Sequence, residues 1–292
     1  MQGPHEAQLS LIQRLESLVA RAESLLPAPA APPDWNAVAF RWRGPRGHLE
    51  PVRHPHKIRL ADLKGVDAQK VAIERNTRQF VAGKPANNVL LTGARGTGKS
   101  SLVKGVLAKF AKQGLRLIEV DRNDLLGLPE IIDLVAGRPE RFIVFCDDLS
   151  FEASEPGYKA LKSALDGSVA APPENLLIYA TSNRRHLMPE RFAENREIVH
   201  GDDGEIHPGE TTEEKISLSE RFGLWLSFYP FDQDHYLDIC AHWLGQFGVE
   251  EKSAPAGRLD WRQEALQWAL QRGSRSGRVA WQFARDYAGR QK

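Results

Sequence analysis

The run Gly93-Ala-Arg-Gly-Thr-Gly-Lys-Ser100 lies between the apolar stretch Val89-Leu-Leu91 and the helix-forming stretch Ser101 to Lys112. Strand, glycine loop and helix in that order aim successive backbone N–H groups and a helix N-terminus at one point, which makes an anion site. The glycines let the backbone approach a β-phosphate, Lys99 is placed for the β- and γ-phosphates, and Ser100 carries a hydroxyl for Mg2+. Gly93, Ala94, Arg95, Gly96, Thr97, Gly98, Lys99, Ser100 and Ser101 are therefore the expected nucleotide contacts.

A nucleoside triphosphate with Mg2+ also needs a carboxylate on a neighbouring strand. Phe142-Ile-Val-Phe-Cys-Asp147-Asp148 supplies one. Asp147, at the end of this apolar run, is suited to a metal-bound water, and Asp148 to polarising the attacking water. Glu152, just downstream, competes with Asp148 for the role of base.

The rest of the chain agrees with a sheet built around that loop. Leu115 to Val120, Phe142 to Cys146, Asn175 to Ala180 and Leu224 to Phe231 read as short strands, alternating with helical stretches such as Ser101 to Lys112 and Tyr158 to Leu165. This alternation predicts an α/β fold, a parallel sheet with helices on both faces. After Asp232 the pattern turns wholly helical, over about Gln233 to Phe247, Trp261 to Gln271 and Ser276 to Tyr287, as a small lid domain. Upstream, apolar residues recur at helical spacing from Gln8 to Leu26, and Pro27-Ala-Pro-Ala-Ala-Pro-Pro33 ends that helix as a semi-rigid linker. Val38 to Lys57 is basic and reads as a short strand with turns. The expected division is residues 1–57 as an appendage, 58–231 as the nucleotide domain and 232–292 as the lid.

Charge excludes some partners. In 292 residues, 39 Lys and Arg nearly cancel 38 Asp and Glu, so no global field draws nucleic acid or an anionic membrane. No apolar run is long enough to span a bilayer. Cys146 and Cys240 both sit among apolar residues and read as buried reduced thiols of a cytoplasmic protein. His54, His56, His200 and His207 lack the companions of a metal site and read as surface residues. The lid arginines and Trp261, Trp268 and Trp281 read as a basic surface over a tryptophan-containing core.

From about Ile58 to the C-terminus the motifs fall in an order that resembles the AAA-plus superfamily of P-loop ATPases. Leu63-Lys-Gly-Val-Asp67 is similar to the segment that lies beside the adenine. Asn175-Leu-Leu-Ile-Tyr-Ala-Thr-Ser-Asn183 resembles the strand whose terminal polar residue, the first sensor, meets the γ-phosphate or the attacking water, and Asn183 matches it. Ser217-Leu-Ser-Glu-Arg221-Phe-Gly looks like the segment carrying an arginine finger into a neighbouring subunit. Ser276-Gly-Arg278-Val-Ala resembles the second sensor of the lid. More narrowly, Asn87 to Lys104, Cys146 to Glu152 and Leu218 to Leu224 resemble an uncharacterised bacterial family termed domain of unknown function 815. One departure stands out: the superfamily's usual Asp-Glu pair is Asp147-Asp148 here, and because Asp is shorter by a methylene, either the water is reached from a shifted strand, Glu152 takes the role, or turnover is slow.

The resemblance implies ATP and Mg2+ as cofactors, a homo-oligomer with Arg221 acting in trans, Arg278 acting in cis, and an unidentified protein or nucleic-acid partner. An arginine is suited to either position because it stays charged and donates in a planar fork. Arg184 and Arg185 are alternatives for the trans role, and Arg95 is a second cation near the phosphates. The reading is an ATPase remodelling a partner; the alternative is an ATP-gated loader or adaptor with little turnover, suggested by Asp148 and the basic segment Arg41 to Arg59. Ile198 to His207 reads as a hairpin around Asp-Gly, in an insertion between Arg184 and Ser217 that is expected to meet a partner or substrate.

Overall fold

The structure is a computed structural model that describes residues 12–19, 21, 32–151, 155–167, 173–184, 199–200, 206–207, 218–249 and 260–291. The chain divides into two compact units, Met1–Pro33 and Asp34–Lys292. In the first unit residues 12–19 and 21 are helical, with Ile12, Leu15, Leu18 and Val19 exposed. The remainder of the expected helix, and most of the proline linker, lies outside the described residues.

The second unit is built on strands β1 (Ala39–Arg43), β2 (His48–Pro51), β3 (Val89–Gly93), β4 (Leu115–Val120), β5 (Arg141–Cys146) and β6 (Leu176–Ser182), with β7 (Val199–His200), β8 (Ile206–His207) and β9 (Leu224–Phe228). Seven of these form one sheet in the order β2-β1-β4-β5-β6-β3-β9. All its pairings are parallel except the β1–β2 hairpin. Period-two alternation explains why both faces are buried: Phe142, Val144 and Cys146 enter one core, and Ile143 and Phe145 the other. Leu176 and Ile178 against Leu177 and Tyr179 repeat the division.

Helices α1 (Asp67–Val81) and α2 (Lys99–Phe110) cover one face, and α3 (Leu128–Val135) and α4 (Pro156–Asp166) the other. On α2 the buried Leu102, Val103, Val106, Leu107 and Phe110 follow helical spacing. Fully burying each such side chain contributes about 1.5–3 kcal/mol. This packing fixes the helix whose first turn carries Lys99 and Ser100.

Helices α5 (Gln233–Gln246), α6 (Trp261–Gln271) and α7 (Gly277–Gln291) have their own core, centred on Tyr236, Cys240, Trp261, Ala265, Ala280 and Phe283. The Tyr236 hydroxyl donates to the Ala265 carbonyl at 3.1 Å, tying α5 to α6. Phe231 packs against both this core and the α1/α2 side of the sheet.

Two expectations are corrected. Residues 39–51 do not stand ahead of the nucleotide domain: β1 pairs with β4 in the main sheet, and Phe40, Trp42 and Leu49 belong to its core. The last strand ends at Phe228 rather than Phe231, because Pro230 has no N–H for a ladder. Both cysteines are free and buried, and burial pushes each thiol up to about 12. Among the described residues, no helix is long and apolar enough to cross a membrane.

Candidate functional site

The site forms at the C-terminal ends of β3, β5 and β6. Gly93 closes β3 at φ 120°, and a Cβ there would lie 1.9 Å from the Phe228 carbonyl oxygen, so only glycine lets the loop start so close to β9. Ala94 N–H donates to that same carbonyl at 3.1 Å. Past the loop, Lys99 and Ser100 stand in the first turn of α2.

Lys99 is 6% exposed, and its ammonium uses all three protons: to the Gly93 carbonyl at 2.8 Å, the Ala94 carbonyl at 2.8 Å and Asn183 Oδ1 at 2.9 Å. Its pKa is lowered, chiefly by burial; Asp148 and Asp147 oppose that shift, while Arg95 and Arg278 add to it. Asn183 turns its amide the other way and donates from Nδ2 to Asp148 Oδ1. One asparagine thus links the loop lysine to the carboxylate suited to a base.

Asp147 is held by two hydroxyls, Ser100 Oγ at 2.6 Å and Thr181 Oγ1 at 2.5 Å, both donating to Oδ1. Hard oxygens of Ser100 and Asp147 side by side suit a small divalent cation that keeps much of its water. Asp148 has φ 54°, the one non-glycine residue at positive φ among the described residues. Its N–H donates to Thr181 Oγ1 at 2.9 Å and Leu149 N–H donates to the Thr181 carbonyl at 2.7 Å, so the chain leaving β5 is turned along β6. A short polar residue tolerates that left-handed backbone better than most. Arg95, Asp148, Ser150, Asn183 and Arg184 line one cleft beside this array.

The lid reaches the loop directly. Gly277 N–H, at the start of α7, donates to the Gly96 carbonyl at 2.9 Å, and Ser276 Oγ accepts from Val279 N–H at 3.3 Å. Gly96 has φ 73°, and a Cβ on it would lie 2.8 Å from Ser276 and 3.6 Å from the Cβ of Arg278. Arg278 therefore stands over the loop. Leu63 and Val66 pack on the α1/α2 side of the sheet, with Gly65 against Phe231 and His235, so the segment likened to an adenine wall meets the lid.

Arg221 is elsewhere. It precedes β9, whose first residue pairs with Val89 at the start of β3, and four strand steps from Leu224 to Phe228 at about 3.3 Å each separate that end from the loop by roughly 13 Å. Its Nε donates to Asp166 Oδ1 at 2.5 Å. So Lys99, Ser100, Asp147, Asp148 and Asn183 converge, Arg95 and Arg278 lie beside them, and Arg221 does not join them within one chain. Glu152 and Arg185 lie outside the described residues.

Other expected features separate from the site. Val199–His200 and Ile206–His207 pair antiparallel, as the hairpin reading requires, and the rest of that insertion lies outside the described residues. No group of three or more His, Cys, Asp or Glu able to hold a metal occurs among the described residues. In the basic segment, Arg41, Arg43 and Arg59 pair with Glu119, Glu50 and Asp62. In the lid, Arg272 stacks on Trp268 at 3.6 Å, Arg285 on Trp281 at 5.2 Å, and Arg290 pairs with Glu264 and Asp286. Sequence reasoning missed Thr181, whose hydroxyl and carbonyl organise both aspartates; its place in Ala-Thr-Ser-Asn183 at a strand end was the available signal.

A family model described as a protein of unknown function (DUF815) matches residues 35–291, upstream of Ile58 and over both strands of the β1–β2 hairpin. No curated protein matches the chain. Among solved structures, the Orc1 protein of Aeropyrum pernix in complex with DNA is similar at 17% identity and a TM-score of 0.51, covering 79% of this chain and 62% of that one. The RuvB Holliday junction branch migration motor of Thermotoga maritima is similar at 16% identity and a TM-score of 0.48, covering 78% and 63%. The chain thus spans about three fifths of the length of these solved proteins. With the sheet order and lid, the likeness to the Orc1 protein shows the fold to be that of the AAA-plus P-loop class.

Proposed function

The chain belongs to the DUF815 family, and on the geometry of its phosphate loop we propose that it is a magnesium-dependent ATPase of the AAA-plus class, coupling a nucleotide cycle to conformational change in an assembly of copies. One observation carries the reading: Lys99, Asn183 and Asp148 form a continuous hydrogen-bonded chain beside the Ser100–Asp147 pair. With Lys99, the nearby Arg95, Arg184 and Arg278 bring the cations to four against the two carboxylates Asp147 and Asp148, a surplus that suits a polyanion such as a triphosphate.

In this reading the loop amides and Lys99 bind and orient the phosphates, and Ser100 and Asp147 would hold the magnesium. Such a metal would supply positive charge against the phosphate oxygens. Asn183 positions the attacking water, and Asp148 accepts its proton. Arg278 meets the nucleotide from the lid of the same chain, and Arg221 serves a neighbouring copy, because roughly 13 Å of strand keeps it from its own loop.

Nucleotide binding and phosphate release test this. Lys99→Ala is expected to lose ATP binding. Arg221→Ala is expected to bind ATP and lose turnover in the assembled state. Full turnover by assembled Arg221→Ala would refute the trans assignment.

A second reading, nucleotide-gated loading of DNA or protein with little turnover, is favoured by the short reach of Asp148, whose carboxylate is already engaged by Asn183. The solved Orc1 protein is in complex with DNA. Salt-dependent DNA binding without brisk turnover would select this reading.

A further inference from the structure

We propose that Arg95 is a further catalytic residue, an arginine carried by the phosphate loop itself, which with Arg184 across the cleft contacts the γ-phosphoryl group within one chain. The proposal rests on the ATPase reading above and adds a residue to it.

Three observations support it. First, Arg95 and Arg184 line the same cleft as Asp148 and Asn183, so two arginines border the space where base and water-positioning residue meet. Second, Arg95 makes no ion pair or side-chain hydrogen bond with another described residue, whereas Arg78, Arg122 and Arg138 of the same unit each pair with a glutamate. Its charge is not taken up by a carboxylate of the described residues at the cleft it lines. Third, Arg95 and Lys99 are near enough for the arginine to depress the lysine's pKa, so the loop gathers like charges that a polyanion would relieve.

The step they would assist is attack of water on the γ-phosphoryl group. The water oxygen bonds to Pγ as the bond from Pγ to the β–γ bridging oxygen breaks. The electron pair of that bond stays on ADP, and the water's proton passes to the Asp148 carboxylate. Charge on the γ-phosphoryl oxygens is shared with the Arg95 and Arg184 guanidinium groups, which remain protonated throughout. Because Arg95 belongs to the loop, this help is present before any neighbour contributes Arg221. The site would then turn over slowly as a single protomer and faster on assembly.

The test uses the full chain as wild type, Arg95→Ala and Arg95→Lys, each assayed for ATP binding, for phosphate release at protein concentrations below assembly, and for trapping of ADP with aluminium fluoride and Mg2+. Arg95→Ala is expected to bind ATP within about tenfold of wild type, to release phosphate about 10²–10³-fold more slowly, and to lose the trapped complex. Arg95→Lys, keeping charge without the planar fork, should recover part of the rate. Wild-type turnover and trapping by Arg95→Ala would overturn the proposal and leave the ATPase reading standing. A wild-type chain that neither binds nor cleaves ATP would overturn both.

Discussion

The contact between the phosphate loop and the lid can be tested at one atom. In Gly96→Ala the new methyl meets two penalties. The backbone at φ 73° costs a non-glycine residue about 1–2 kcal/mol. The methyl also sits 2.8 Å from both Cβ and Oγ of Ser276, which are fixed by the start of α7, and forcing such a contact costs about 1–3 kcal/mol. Together the substitution should destabilise the protein by about 2–5 kcal/mol. Ser276→Gly removes the obstructing atoms and sacrifices only the hydrogen bond from Val279 N–H, worth a few tenths of a kcal/mol when glycine replaces a capping serine. The double variant should therefore recover the steric part and leave the backbone part, giving a favourable coupling of about 1–3 kcal/mol. Urea denaturation of all four proteins measures this through the midpoint at constant slope. Additivity within about 0.5 kcal/mol would refute the reasoning, because it would mean that lid and loop are not in contact in solution.

Two further outcomes follow from groups outside the site. Tyr179→Phe removes a hydroxyl bonded to Thr77 Oγ1 at 2.8 Å and Asn76 Nδ2 at 3.1 Å, yet both partners keep a backbone carbonyl, so denaturation should show a loss of only about 1 kcal/mol. His242 on α5 faces Asp62, Arg59 and Lys64, and burial, aided by the two cations, lowers its pKa below 6.5 against the pull of Asp62. The folded state then binds fewer protons than the unfolded chain just below pH 6.5, so this group's contribution, complete above that value, is lost as pH falls through the lowered pKa. Melting temperatures from pH 7.5 to 5 should decline less in His242→Gln than in wild type.

Much of the site was legible because its chemistry is local. Gly93 to Ser100 carries the loop in consecutive residues, and the end of β5 carries Asp147 and Asp148. The central strands were legible for a different reason: strands buried on both faces are continuous apolar runs, as in Phe142 to Cys146. The β1–β2 hairpin was not placed in the sheet because Arg41 and Arg43 alternate with apolar residues and its partner β4 is distant in the chain. Nothing local in Ala39–Arg43 specifies that pairing. Arg221 was legible as a motif, while its separation from its own loop required the register Val89 to Leu224. The double role of Asn183 likewise depends on β6 lying between β3 and β5, an adjacency that chain order does not show.

The edge strand β9 has a mechanical consequence. At its far end the Phe228 carbonyl is locked against Gly93 and Ala94, too close for any side chain to intervene. At its near end the chain leads back within a few residues to Arg221, the group proposed above to serve a neighbouring copy. A rigid ladder of hydrogen bonds to β3 joins the two ends. A continuous hydrogen-bonded strand therefore lies, like a pushrod, between the segment carrying that arginine and the floor of the same chain's phosphate loop. In the assembly proposed above, this strand would be a route between copies that needs no domain to swing.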